Sequence, residues 1–153
     1  MPRCYKNPQA DAWYLSLKND PSKLPFSFTY NGIHHQGFSA DALLSQETTR
    51  KKDCETTEFR FQLDCLTATV TLSHYYNHGA TEWTVRFANE SDHDSGILEN
   101  PASELVFEGA RPMLKGILGD HVNQYRPYAI DLSSMPVCFE SNSGRATHVN
   151  FPY

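Results

Sequence analysis

From Glu58 to Leu72 apolar side chains take every second position, first as Phe59, Phe61 and Leu63, then as Leu66, Ala68, Val70 and Leu72. Alternation of this kind turns one face of an extended chain toward a core and the other toward water. The apolar phase slips at Asp64-Cys65. Because a one-residue slip would send the whole apolar set to the wrong face, a tight turn or bulge belongs there. Phe59, Phe61, Val70 and Leu72 are expected in the core.

The same pattern recurs elsewhere. Phe26, Phe28 and Tyr30 share a face and run into Asn31-Gly32, the strongest two-residue hairpin signal, since both turn positions need positive φ. Trp83, Val85 and Phe87 follow a turn at Asn77-His78-Gly79. Leu105–Phe107, Pro112–Leu118, Tyr128–Leu132 and Val137–Phe139 bring the set to eight to ten short strands. Ser39–Leu44 is the only helical candidate, residues 1–24 read as an N-terminal arm, and the polar, Thr-rich stretch 45–56 reads as a mobile loop. With almost no helix to build crossovers, the sheets must be antiparallel. One all-β sandwich domain spanning residues 1–153 is the expectation.

Composition narrows the function classes. At 153 residues with 12% aromatics and 20% charged residues, the chain can bury a core and is not a disordered polar tract. Its net charge is −5, and its one basic cluster, Arg50-Lys51-Lys52, sits among Thr, Asp and Glu, which argues against a nucleic-acid partner. No run nears the ~18 apolar residues of a membrane-spanning helix. The segment Met1–Gln9 lacks the apolar stretch of a secretory signal, so a cytoplasmic location is expected. Cys4, Cys54, Cys65 and Cys138 are widely spaced and read as free thiols, with Cys65 and Cys138 as small core residues. The sequon Asn89-Glu90-Ser91 would matter only in a secreted eukaryotic protein.

Four blocks carry a family likeness: Pro25-Phe-Ser-Phe-Thr-Tyr-Asn-Gly32, Trp83-Thr-Val-Arg-Phe-Ala-Asn89, Gly96-Ile-Leu-Glu-Asn100, and Ile117-Leu-Gly-Asp-His-Val-Asn-Gln-Tyr-Arg-Pro-Tyr128 followed by Ser143-Gly-Arg145 and Phe151-Pro-Tyr153. In this order, over roughly residues 25 to 153, they resemble the N-terminal β-sandwich of α-galactosidase (melibiase-type) glycoside hydrolases. The resemblance implies an antiparallel, galactose-mutarotase-like supersandwich. It also implies that residues 149–153 lead toward a catalytic (β/α)8 barrel of the same protein. The parent would then be a retaining glycoside hydrolase acting on α-galactosides or related α-glycosides. The chain's own part would be non-catalytic: supporting the barrel, contributing oligomer contacts and lending a loop to the rim of the substrate pocket.

A retaining glycosidase needs two carboxyl groups about 5–5.5 Å apart, one of them with a raised pKa. Lys51-Lys52-Asp53 matches the family's K-x-D in letters but lies in a polar stretch, and Asp92, Asp94 and Glu99 read as a solvated loop. His74 and His78 have a spacing that binds metal on a helix but not on a strand, and His34-His35 point to opposite faces, so all four are expected as surface or turn residues. No catalytic residue, metal site or cofactor is assigned. Asp120, His121, Asn123 and Tyr125 offer donors, acceptors and a ring face to a sugar or a neighbouring domain, and Arg145 sits in a turn that presents it. Three alternatives stay open, a plain interaction domain being the fallback. A free-standing carbohydrate-binding module would use Tyr75, Tyr76 and Trp83 as an aromatic strip, and a mutarotase-like epimerase would pair His121 with Glu99 or Asp131.

Overall fold

A computed structural model describes residues 7–106, 110–119, 125–134 and 136–139. Among the described residues strand accounts for 51% and helix for 15%, and the strand pairings are antiparallel, so the fold is all-β and sandwich-like. Where one domain was expected, the chain forms two compact units, residues 1–105 and 106–153.

In the first unit, helix α1 (Pro8–Asn19) precedes seven strands: β1 (Phe26–Tyr30), β2 (Ile33–Gln36), β3 (Leu43–Arg50), β4 (Cys54–Leu63), β5 (Leu66–Tyr75), β6 (Ala80–Asn89) and β7 (Leu98–Ser103). They form a three-stranded sheet ordered β2-β1-β7 and a four-stranded sheet ordered β3-β4-β5-β6. Asn31 and Gly32 both take positive φ, as the hairpin signal requires. The slip at Asp64-Cys65 is the turn between β4 and β5, with Asp64 at φ 55°. Phe59 pairs with Val70 and Phe61 with Ala68 across that hairpin, and these four, with Leu72, have no exposed surface.

One aromatic core joins the sheets. Phe38 stacks on Phe61 at 4.4 Å between ring centroids, and Phe28 meets the edge of Phe87 at 5.2 Å. Phe38 is held by its backbone N–H, which donates to the carbonyl of Pro21 at 3.2 Å. The preceding Gly37 has φ 58°, and a Cβ there would lie 2.6 Å from the Ser22 carbonyl oxygen, so only glycine fits.

Several local expectations are corrected. The arm at 1–24 contains a twelve-residue helix, α1, capped by the Asn7 side chain with Pro8 in the first turn. Ser39–Leu44 supplies only a 3₁₀ turn, Ala40–Ala42, before β3 starts. The stretch 45–56 is not a loop: most of it is β3 and the start of β4, joined by a turn at Lys51-Lys52-Asp53. Its Thr residues suit a strand, and its polarity reflects an exposed edge. Cys65 lies half-buried in a turn and Cys138 is exposed, so neither is a core residue. Leu105 and Val106 are exposed and outside any strand; residues 137–139 also lie outside any strand, with Cys138 exposed and Val137 and Phe139 half-buried.

In the second unit β8 (Met113–Ile117) pairs with β9 (Pro127–Asp131). Among the described residues no helix is long and apolar enough to cross a membrane.

Candidate functional site

The first unit's ionisable side chains converge where α1 crosses the four-stranded sheet. Asp11, Tyr14 and Lys18 are spaced three and four residues apart and so share one helix face. The sheet answers with Arg50 on β3, Glu55 and Thr57 on β4, His74 on β5, Tyr76 just beyond it and Thr81 on β6.

Glu55 is the hub. It is only 1% exposed, sits on the same strand face as Thr57, Phe59 and Phe61, and is ringed by donors. Lys18 Nζ donates to Oε1 at 2.5 Å and Tyr14 Oη to the same oxygen at 2.8 Å. Tyr76 Oη donates to Oε2 at 3.0 Å, and Arg50 Nε makes a short ion pair with Oε2. Burial alone would raise the carboxyl's pKa, but the four donors overcome it and hold the group at about 2. Burial, outweighing the bond to Thr57 and reinforced by Glu55, pushes the Tyr14 phenol well above its ordinary value.

A second line runs beside the hub. His74 Nε2 lies 2.9 Å from Asp11 Oδ1, and Nδ1 lies 3.0 Å from Thr81 Oγ1. The Asp11 carboxylate only accepts, so Nε2 carries the proton toward it and, in the neutral ring, Nδ1 accepts from the Thr81 hydroxyl. The imidazole has no exposed surface: Tyr14 stacks on it at 4.6 Å and Tyr76 meets it edge-on at 5.3 Å. Carboxylate, imidazole and hydroxyl in series form a proton-relay arrangement. Here the middle group is sealed from any substrate, so the line fastens α1 to β5 and β6 and does no acid–base work. His74 is therefore a correction to the surface expectation; His78 lies in the turn after β5.

The displaced carboxyl pKa values, at Glu55, Asp20 and Asp131, all move down, the last two through hydrogen bonds from Ser22 and Ser133. A general acid needs the opposite. Asp53 is in the β3–β4 turn, and Asp92, beside His93 at 3.3 Å, is in a solvent-exposed loop. No group of three or more His, Cys, Asp or Glu among the described residues could hold a metal.

Of the rim residues, Tyr125 is exposed with φ 60° before β9; Asp120, His121, Asn123 and Arg145, like the exit 149–153, lie outside the described residues. Asp131, the suggested partner of His121, accepts from its own neighbour Ser133. The aromatic strip does not form. Trp83 pairs with Leu72, on the core face of β5 and β6, whereas Tyr75, three residues on, faces the other side. Trp83 instead meets the edge of Trp13 on α1 at 6.1 Å.

No family model, curated protein or solved structure matches the chain.

Proposed function

We propose that the chain is the non-catalytic N-terminal β-sandwich of a retaining glycoside hydrolase of the α-galactosidase type, acting on α-galactosides or related α-glycosides. The supersandwich fold, a barrel partner and a rim role for Asp120, His121, Asn123, Tyr125 and Arg145 belong to the same proposal. One observation carries it. The blocks that give the family likeness fall on consecutive structural roles: Phe26–Gly32 is β1 and its turn, Trp83–Asn89 lies in β6, and Leu98-Glu99-Asn100 opens β7. The first and third, far apart in sequence, are neighbours in one sheet, with Thr29 opposite Glu99 and Tyr30 opposite Leu98.

A supporting role also fits the charge chemistry. The most buried carboxylate among the described residues is saturated by four donors, and the buried histidine is packed against Tyr14 and Tyr76, so neither is available to a sugar. The opposite facing of Tyr75 and Trp83 weighs against a free-standing carbohydrate-binding module.

The purified 153-residue chain is expected to release no aryl aglycone from aryl α-galactosides above background. Turnover that survives repurification and is lost in Asp53→Asn or Asp120→Asn would contradict the proposal.

A further inference from the structure

The geometry points to β6 as a self-pairing edge, through which two copies of the chain join their four-stranded sheets into one continuous antiparallel sheet. This inference goes beyond the proposed function and holds whether or not a barrel exists.

Among the described residues β6 is the last strand of its sheet, bonded to β5 alone. Alternate N–H and C=O groups along its ten residues therefore point away from the sheet. Protein edges are ordinarily blunted by shortness, Pro, charged side chains (Lys above all) or a bulge, or are covered by a helix or loop. The other edges of the first unit carry such devices: β2 has four residues, β7 holds Pro101 and a register shift, and β3 has a register shift at its start. β6 has neither Pro nor Lys, and its register with β5 is unbroken from Ala80 to Asn89.

Its side chains complement themselves. Glu82, Thr84 and Arg86 are exposed on one face, while Trp83, Val85 and Phe87 are half-buried on the other. Place a two-fold axis at Thr84. In that antiparallel register Glu82 meets Arg86 of the second copy and Arg86 meets its Glu82, while Trp83 meets Val85 twice over on the core face. Moving the axis to Trp83 or Val85 sets Glu82 opposite Thr84 or Ala88 and loses both ion pairs. A one-residue slip puts core-face residues opposite solvent-face ones. Arg86 has no ion-pair partner among the described residues, and Glu82 uses Oε1 on the Tyr75 hydroxyl, leaving its other oxygen. The pairing is isologous and closed, which makes a dimer and not a fibre.

Sedimentation velocity of the 153-residue chain over a roughly hundredfold concentration range tests this. Wild type is expected to dimerise reversibly. Arg86→Glu and Glu82→Arg each put like charges opposite and should weaken the dimer about tenfold or more. Both positions are exposed, so unchanged circular dichroism is expected. An equimolar mixture of the two variants should form a heterodimer, and the double swap should restore wild-type association. A wild type that stays monomeric, or a dimer indifferent to both charge changes, overturns the inference. So does a dimer abolished by Phe151→Ser with Tyr153→Ser, which would place the contact at the chain's exit segment.

Discussion

Replacing Glu55 with glutamine is expected to cost the fold about 3 kcal/mol at neutral pH, with most of the loss disappearing in acid. The carboxylate is 1% exposed and holds two cations of unequal burial: the Lys18 side chain is 16% exposed and that of Arg50 74%. An amide leaves Lys18 tucked under α1 without a counter-charge and turns a donor toward its ammonium. Arg50 loses less because water already reaches it. The pH dependence follows from the carboxyl's displacement from an ordinary 4.5 to about 2. Between those values the unfolded chain takes up a proton that the folded chain refuses, so folding weakens as pH falls through that window. The contribution is fully present above about pH 4.5 and gone below about 2. Urea denaturation of wild type and Glu55→Gln at neutral pH and at about pH 3 should show the gap narrowing in acid. An equal gap at both would mean that Glu55 is not the anion holding the helix.

Phe61→Ala is expected to cost about 3–5 kcal/mol. The ring has no exposed surface, stacks on Phe38 at 4.4 Å and lies 6.0 Å from Phe59. Its cross-strand neighbour on β5, Ala68, is too small to fill the cavity, and Phe38 is anchored by its N–H bond to the Pro21 carbonyl, so little collapse is available. The same denaturation measurement decides it. A loss below about 1 kcal/mol would put Phe61 at the surface and count against the sandwich core.

The strands were legible where one face was apolar and the other polar, as at Phe59–Leu72, Phe26–Tyr30 and Trp83–Phe87. Helix α1 was not, for a physical reason: the face it buries carries Asp11 and Lys18 beside Tyr14 and Leu17, so apolar periodicity is weak although the face is packed. The signal that could have found it is the Asn7-Pro8 start, a side-chain cap followed by a residue whose missing N–H costs nothing in the first turn. The Glu55 hub was hidden for a related reason. Its four partners come from α1, β3 and the turn after β5 and meet only after β3 and β4 pair, and the polar stretch that holds Arg50 and Glu55 looks like a loop when apolar residues alone are counted. His74 shows the same limit: alternation places it on the core face with Leu72, but its burial depends on Asp11 and Thr81 being there to satisfy both ring nitrogens.

The most direct measurement of the central claim is hydrolysis of aryl α-galactosides by the polypeptide translated from the reading frame across codon 153, run beside the 153-residue chain. If the chain is the N-terminal domain of such a hydrolase, the frame continues into a (β/α)8 barrel with a K-x-D strand end. The longer polypeptide then turns over the substrate while the 153-residue chain does not. A frame that stops, or a longer polypeptide carrying no such barrel, would contradict the proposed function.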